Sequence, residues 1–170
     1  MPEDRPNAAL VYRHLAPAVL GYLRSQRVPD PDDTLGEVFL QVARDLHRFS
    51  GDDDGLRRWV FSIAHNRAMD AHRKAARNRS TLEAELADAG AGRGDERTTA
   101  PPPPDPFDPV LVDALAMLSA DQREVVVLRF VADLPLEAVA KITGRKVGAV
   151  KALQHRALEN LRRAVSSEAD

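Results

Sequence analysis

Residues 135–164 read PLEAVAKITGRKVGAVKALQHRALENLRRA, and this stretch decides the fold because it predicts two helices around a tight turn. Pro135 suits the first turn of a helix, where its missing N–H has no partner in any case. Gly144 ends that first helix. A second helix then carries an apolar stripe at steps of three and four residues. The stripe consists of Val147, Val150, Leu153, Ala157, Leu158, Leu161 and Val165. The pattern is typical of a helix-turn-helix.

The second helix of this pair is basic on the side away from its stripe. From Arg145 to Arg163 there are six Lys or Arg and one acidic residue, a net charge of +5. Lys151, His155 and Arg156 lie off the apolar stripe. Such a helix can enter the major groove and place side chains on base edges and phosphates, so the stretch favours binding to duplex DNA. An ordinary helix pair with a solvated basic face is the alternative.

Composition indicates an all-α protein of one or two small domains. The chain has 170 residues and no cysteine, which excludes disulfides and thiolate zinc sites and suits the cytoplasm. No apolar run approaches the roughly 20 residues that a membrane span needs, and the N-terminus lacks the layout of a signal peptide. We therefore expect a cytoplasmic protein without membrane insertion.

The charge is distributed unevenly along the chain. Residues 1–80 carry a net charge of +2, residues 81–108 carry −5 and residues 109–170 carry +1. The middle segment is rich in Gly, Ala and Pro and has no sustained periodicity, which is typical of a flexible linker. The sequence thus predicts two small helical domains, 1–80 and 109–170, joined by an acidic linker at 81–108.

Three helices are predicted in the N-terminal domain. The first spans about residues 8–27, the second follows a turn at 28–33, and the third begins near Leu56. Seven basic residues and one acid lie between Arg57 and Arg79, and the basic residues concentrate at the C-terminal end of that range. The concentration suggests a track for nucleic-acid phosphates, with a solvated helix face as the alternative.

Three segments carry a resemblance to a known family. They are DPDDTLGEVFLQVARDLHRF at 30–49, LRRWVFSIAHNRAMDAHRKAARN at 56–78 and LSADQREVVVLRFVADLPLEAVAKITGRKVGAVKALQHRAL at 118–158. Together they closely resemble the conserved segments of extracytoplasmic-function sigma factors of the sigma-70 family. The resemblance implies a helical domain that melts and binds the minus-10 promoter element, a linker, and a helix-turn-helix domain that reads the minus-35 element. It also implies a protein without catalysis, cofactor or metal of its own.

The same resemblance implies partners and roles for individual residues. The partners are promoter DNA, RNA polymerase core and an anti-sigma factor. A base flipped from the minus-10 strand would be captured by Ser50, Gly51, Asp52, Asp53 and Asp54, with Asn66 reading its neighbour and Arg73, Lys74 and Arg77 holding the backbone. The clamp helices of the polymerase β′ subunit would be contacted by Asp33, Glu37, Phe39, Gln41, Arg44 and Asp45, and the β flap is a further contact. The minus-35 element would be contacted by Arg129, Lys146, Lys151, Ala152, His155 and Arg156.

Two features bear on these roles. Many relatives have Ser-Arg where this chain has Ala152-Leu153, so readout there would depend on apolar contact with thymine methyls or on DNA shape. Trp59 is expected to be a core residue beside the melting surface.

Metal and enzyme chemistry find little support in the sequence. The loop SGDDDG at 50–55 has the carboxylate spacing of a calcium site, but Phe61 stands where the bidentate Glu of such a site belongs. His65 and His72 could share a helix face, yet no third ligand is near them. No nucleophile motif occurs.

Two other function classes remain. The chain could be a helix-turn-helix regulator that binds DNA without polymerase core, or a helical interaction module with incidental basic faces.

Overall fold

The computed structural model describes residues 6–89 and 107–167, and all regular secondary structure in these residues is helical. The N-terminal domain contains α1 (Ala8–Ser25), α2 (Pro31–Asp45), a 3-10 turn (Leu46–Arg48) and α3 (Asp53–Ala89). The C-terminal domain contains α4 (Pro109–Ala116), α5 (Ala120–Val126), a π-helical segment (Val127–Val131), α6 (Leu136–Thr143) and α7 (Val147–Ser167). The prediction of an all-α fold is confirmed.

The first two helices begin where side chains satisfy their free N–H groups. Asn7 Oδ1 accepts from the Ala9 N–H at 2.9 Å, and Asp30 Oδ1 accepts from the Asp33 N–H at 3.1 Å. The apolar faces of α1, α2 and α3 then close one core. Its largest fully buried side chains are Val19, Tyr22, Leu23, Val38, Val42, Val60 and Phe61.

Helix α3 is longer than the sequence predicted. It has 37 residues, begins at Asp53 rather than near Leu56, and continues to Ala89, so the segment from Thr81 to Ala89 is helix and not flexible linker. The physical reason is propensity, because this segment is built mainly of Leu, Glu and Ala, which are strong helix formers. The rest of the predicted linker, 90–106, lies outside the described residues.

The helix-turn-helix follows the prediction closely. Helix α6 ends at Gly144, whose φ of +69° is a left-handed conformation that glycine adopts without strain. Helix α7 begins at Val147 and buries Val150 and Ala157.

Two residues of the apolar stripe predicted on α7 do not face the core. Leu158 is 42% exposed and Val165 is 62% exposed. The helices that pack on α7 have seven or eight residues against its 21, so they leave part of its length uncovered.

The two domains pack against each other. Helix α1 contacts α5 and the π-helical segment, and α3 contacts α6. As a result, the buried apolar side chains of both domains belong to one continuous cluster. Within the part of the chain that the structure describes, no helix is both long and apolar enough to cross a membrane.

Candidate nucleic-acid interface

The loop between the 3-10 turn and α3 rests on an aromatic stack. The rings of Phe49 and Trp59 lie 5.4 Å apart, centroid to centroid, at 22° to each other. Gly51 has a φ of +154°, and a Cβ at this position would lie 3.0 Å from the Phe49 ring. Both observations require glycine here, because a side chain would strain the backbone and press on the stack. Trp59 therefore supports the loop from below, in line with its expected structural role.

The three aspartates of this loop have different positions. Asp52 Oδ1 accepts from the Gly55 N–H at 2.8 Å, so Asp52 caps α3. Asp53 and Asp54 lie in the first turn of α3 and, like Ser50, point to solvent. The structure thus leaves Ser50, Asp53 and Asp54 free to meet a ligand, while Asp52 is engaged in the fold.

A cavity of about 620 Å³ opens beside this loop. Its lining includes the apolar side chains of Leu10, Leu15 and Leu56 and the polar side chains of His14 and Asp53. This lining combines polar and apolar side chains, which suits a flat ring with hydrogen-bonding edges.

The residues of α3 that were assigned to the minus-10 strand lie on its surface. Asn66, Arg73, Lys74 and Arg77 are all exposed, and Asn66, Arg73 and Arg77 share one side of the helix by their spacing. Arg73 Nη1 lies 2.9 Å from Asp70 Oδ1, and both side chains are more than half exposed. Such surface pairs contribute little free energy, so Arg73 can exchange this partner for a phosphate.

The residues predicted to contact polymerase do not all share the outer surface of α2. Asp33, Glu37 and Arg44 are exposed, whereas Phe39 is only 8% exposed and packs edge-to-face on Tyr12 at 4.9 Å. The position of Phe39 does not support a role in contacting a partner, because its ring is part of the core. Gln41 is half-buried, as is Asp45.

Arg67 of α3 ties two of these α2 side chains to the domain. It donates to Gln41 Oε1 at 2.9 Å, and its Nη1 lies 3.8 Å from Glu37 Oε2. Leu40 is 73% exposed between Glu37 and Arg44 and was missed from the sequence. Its signal was an apolar side chain off the inward stripe of α2.

The basic residues that the sequence assigned to the minus-35 element on α7 lie on the exposed side of this helix. Lys151, His155 and Arg156 are exposed, Ala152 is half-buried between them, and Lys146 is exposed just before the helix. His155 Nε2 lies 3.5 Å from Glu159 Oε1 on the same face.

Arg129 is placed differently from the other predicted minus-35 residues. Its Nη1 donates to the Leu134 carbonyl at 3.0 Å, and its guanidinium lies 5.7 Å from the centre of the Phe130 ring. These contacts fix the turn that precedes α6. Arg129 also lines a cavity together with Asp54 and Arg57 of the N-terminal domain.

A buried polar cluster lies where the two domains meet. The Tyr22 hydroxyl donates to Glu124 Oε1 at 3.0 Å, and His65 Nδ1 lies 2.9 Å from the same oxygen. Burial alone would raise the pKa of the Glu124 carboxyl, but the hydrogen bonds from His65 and Tyr22 and the charge of Arg145 lower it overall. Burial, reinforced by Glu124, raises the pKa of Tyr22. Sequence reasoning missed this cluster because its members are distant along the chain.

The two histidines considered as metal ligands have other partners. His65 belongs to the buried cluster, and His72 Nε2 lies 2.9 Å from the Gln26 carbonyl. In residues 6–89 and 107–167, no group of three His, Cys, Asp or Glu side chains is placed to hold a metal ion.

Comparison with known proteins identifies both domains. Residues 11–78 match the family model described as Sigma-70 region 2, and residues 114–163 match the model described as Sigma-70, region 4. The RNA polymerase sigma factor CarQ of Myxococcus xanthus is 36% identical over 162 residues, covering 90% of this chain and 85% of CarQ. The ECF RNA polymerase sigma factor SigD of Mycobacterium tuberculosis is 31% identical over 182 residues, covering 98% of this chain and 81% of SigD.

Solved structures share the fold. The sigma factor RpoE of Bartonella quintana, in complex with the anti-sigma factor NepR, matches with a TM-score of 0.65 and 24% identity, covering 91% of this chain and 94% of RpoE. CnrH, in complex with the cytosolic domain of CnrY, matches with a TM-score of 0.58 and 22% identity, covering 94% of this chain and 88% of CnrH.

Proposed function

The chain belongs to the extracytoplasmic-function sigma factors of the sigma-70 family, and we propose that it directs bacterial RNA polymerase core to its promoters through the two surfaces described above. The N-terminal surface, at residues 50–77, would open the minus-10 element and hold its single strand. The C-terminal surface, at residues 146–156, would read the minus-35 element as duplex.

The assignment of the C-terminal surface to the minus-35 element is supported by the division of α7 into a buried side and an exposed side. Val150 and Ala157 are buried, while Lys151, His155 and Arg156 project to solvent. A rigid helix with this division can lay its polar side into the major groove while the rest of the domain stays on the backbone. Ala152 lies within this surface and offers only a methyl group, which suits contact with a thymine methyl.

The N-terminal assignment rests on the pairing of a cavity with a basic helix. Extruding a base costs a few kcal/mol of stacking and pairing. Hydrogen bonds between the base and Asp53, which lines the cavity, or Ser50 of the adjacent loop can offset that cost, while Arg73 and Arg77 hold the phosphates of the displaced strand. Asn66 lies on the same side of α3 as these arginines and would read the next base.

The remaining parts of the proposal follow from this role. Residues 1–80 would form the melting domain and 109–170 the minus-35 domain, with 81–108 as the connection, which the matched ranges support. Polymerase core would bind the exposed acidic side of α2, and its β flap would contact the C-terminal domain. We infer that the catalytic chemistry belongs to core, so that this protein would act in the cytoplasm, where core is, and would not itself be an enzyme.

An anti-sigma factor is part of the proposal as well. RpoE and CnrH were each solved with a protein partner, named as an anti-sigma factor for RpoE. Their likeness to this chain supports a shared fold, and we infer that this chain also binds an anti-sigma factor.

Run-off transcription on genomic DNA tests the proposal. Core polymerase plus this protein should produce defined transcripts whose start sites share sequence elements near minus 10 and minus 35, whereas core alone should not. A helix-turn-helix regulator would bind DNA yet fail to pull down core, and a simple interaction module would give neither result.

A further inference from the structure

A small pocket lies where the C-terminal end of α1 meets α4 and α5. Its volume is about 100 Å³, and no acidic residue lines it. Its charged lining residues are Arg24, Arg27 and Arg123, and its apolar wall includes Phe107, Val112 and Leu115. The pocket therefore combines a concentration of positive charge with an apolar wall.

Arg123 brings a buried charge to this pocket. It is only 7% exposed. Its Nε donates to the Ser25 carbonyl at 2.6 Å and its Nη1 to the Leu118 carbonyl at 3.4 Å, whereas its Nη2 bonds to none of the described residues. Both acceptors are uncharged, and within residues 6–89 and 107–167 no ion pair joins Arg123 to an acidic side chain. A buried guanidinium without a counter-charge is unfavourable, so an anion in the pocket would stabilise it.

Arg27 brings a second guanidinium to the pocket at a cost in backbone strain. Its φ of +54° is left-handed, and it directly follows the C-cap of α1, where glycine or asparagine is usual. In the part of the chain that the structure describes, its side chain has neither an ion pair nor a hydrogen bond. Strained residues of this kind concentrate at functional sites, and here the strained residue is a cation with unused donors.

The two arginines disfavour each other's charge. Burial lowers the pKa of the Arg123 guanidinium, and the nearby charge of Arg27 lowers it further. An anion between them would replace this repulsion by attraction. A phosphoryl group is well suited, because its oxygens can accept from two guanidiniums at once and the planar guanidinium matches phosphate geometry.

The size of the pocket restricts the ligand further. At about 100 Å³ it is smaller than the roughly 300 Å³ at which pockets for drug-sized molecules begin. It therefore suits a compact group of a few atoms better than a whole ring system. The apolar wall of Phe107, Val112 and Leu115 lowers the local dielectric constant, which strengthens hydrogen bonds between charged partners.

We propose that this pocket is an anion site for a phosphoryl group, held by Arg27 and Arg123. The group belongs either to a free phosphate or pyrophosphate ion or to the phosphate end of a nucleotide. None of the residues assigned to promoter DNA or to polymerase core lines the pocket. Binding of the anion therefore requires neither DNA nor polymerase.

Thermal unfolding of the full chain in increasing concentrations of inorganic pyrophosphate tests the site. Ionic strength is held constant with sodium chloride, and calorimetric titration gives the dissociation constant. The unfolding temperature should rise with pyrophosphate concentration, because a ligand that binds only the folded state stabilises it. Parallel titrations with inorganic phosphate and ADP distinguish the sources. Tighter binding of ADP than of pyrophosphate would identify a nucleotide, and the reverse order would identify a free anion.

The variant Arg27→Gly separates binding from stability. It should weaken pyrophosphate binding about tenfold or more, because a hydrogen bond between charged partners is lost. It should not lower the unfolding temperature without ligand, since glycine adopts a φ of +54° without strain. The matched control is Arg13→Ala, which removes an exposed arginine of α1 outside the pocket and should leave the affinity unchanged.

A second variant, Ala116→Glu, places a carboxylate in the pocket. Ala116 is exposed at the end of α4 and lines the pocket, so the new side chain would meet the arginines as a tethered anion. The variant should unfold at a higher temperature without ligand and should no longer respond to pyrophosphate. Met117→Glu is the matched control, because Met117 is 68% exposed and outside the lining. It should keep the response to pyrophosphate.

Three results would overturn the proposal. The first is an unfolding temperature that pyrophosphate raises no more than sodium chloride does. The second is pyrophosphate binding that survives both Arg27→Gly and Ala116→Glu, or that Arg13→Ala weakens as much as Arg27→Gly. The third is binding that appears only after Asp95, Glu96 and Asp105 are replaced by the neutral amides, because the pocket would then belong to carboxylates of this chain.

Discussion

The two regions proposed to contact DNA are built in different ways. The C-terminal surface is one side of a regular helix, where Lys151, His155 and Arg156 project at positions set by helical geometry alone. The N-terminal surface combines the long helix α3 with an irregular loop, which depends on Gly51, on a cap from Asp52 and on the stacked ring of Phe49. Reading intact duplex requires only a rigid rod with suitable side chains, whereas holding an extruded base requires a shaped cavity.

This difference means that substitutions should act differently in the two regions. In α7, single side chains should matter one at a time. In the loop, residues that never touch DNA should matter because they maintain its shape.

The largest expected effect comes from removing the support of the N-terminal surface. Phe61 is fully buried, with its ring 6.0 Å from that of Tyr22, so Phe61→Ala should lower the free energy of unfolding by about 3–5 kcal/mol. Phe130→Ala is the matched control, because Phe130 is 53% exposed and should cost about 1 kcal/mol or less. Chemical denaturation followed by circular dichroism measures both. Equal losses would show that the packing has been assigned wrongly.

The next effect concerns promoter opening. Asn66→Ala or Asp53→Ala should reduce open-complex formation about fivefold or more, because each would remove a proposed hydrogen bond to the melted strand that is worth about 1–3 kcal/mol. Binding to core should change little, since neither residue lies on α2. Permanganate footprinting on double-stranded promoter DNA reports melting, and Glu85→Ala, farther along α3, serves as the control. Melting at the unsubstituted level in both variants would contradict the loop assignment.

Substitutions of Arg156 and Arg162 distinguish base contacts from phosphate contacts on the C-terminal surface. Arg156→Ala should cost about 1–3 kcal/mol and relax specificity at one minus-35 position, as expected for a base contact. Arg162→Ala should weaken binding to all DNA sequences alike and lower the slope of log affinity against log salt concentration by about one, or it should have no effect. The measurement is holoenzyme binding to a promoter library at two salt concentrations. If both variants keep the original sequence profile and affinity, α7 does not enter the groove in this way.

The smallest expected effect concerns Asp52, and it distinguishes a structural role of this residue in the loop at 50–55 from a direct contact with DNA. Asp52→Ala should destabilise the protein by about 1 kcal/mol, because the Gly55 N–H loses its acceptor. Asp52→Asn keeps a capping oxygen and should restore thermal stability and promoter melting together. Restored stability without restored melting would instead assign the carboxylate of Asp52 to the DNA.

The sequence was sufficient for the regular elements of the fold. The start of α7 at Val147 and the end of α6 at Gly144 were predictable, because apolar spacing and a helix-ending glycine are local signals. A flexible linker was predicted from residue 81, whereas α3 continues to Ala89, because this Glu- and Ala-rich segment is helical through propensity without an inward face.

The candidate site could be predicted only in part. Residues projecting from α7 and α3 follow from periodicity, whereas the burial of Phe39 depends on Tyr12 of another helix. The contacts of Arg123 and Glu124 depend on a domain arrangement that no local pattern in the sequence describes. Tertiary packing of this kind is what sequence patterns leave undetermined.

The two surfaces should act together only when polymerase core holds them at promoter spacing. Gel-shift titration of one promoter and one scrambled duplex, with free protein and with holoenzyme at moderate salt, measures this directly. The free protein should bind both duplexes weakly and alike, because the packing of α1 and α3 on the C-terminal domain keeps the two surfaces close together instead of at promoter spacing. Holoenzyme should bind the promoter tightly and the scrambled duplex weakly. Tight, sequence-specific binding by the free protein would contradict the claim and favour a regulator that acts without polymerase.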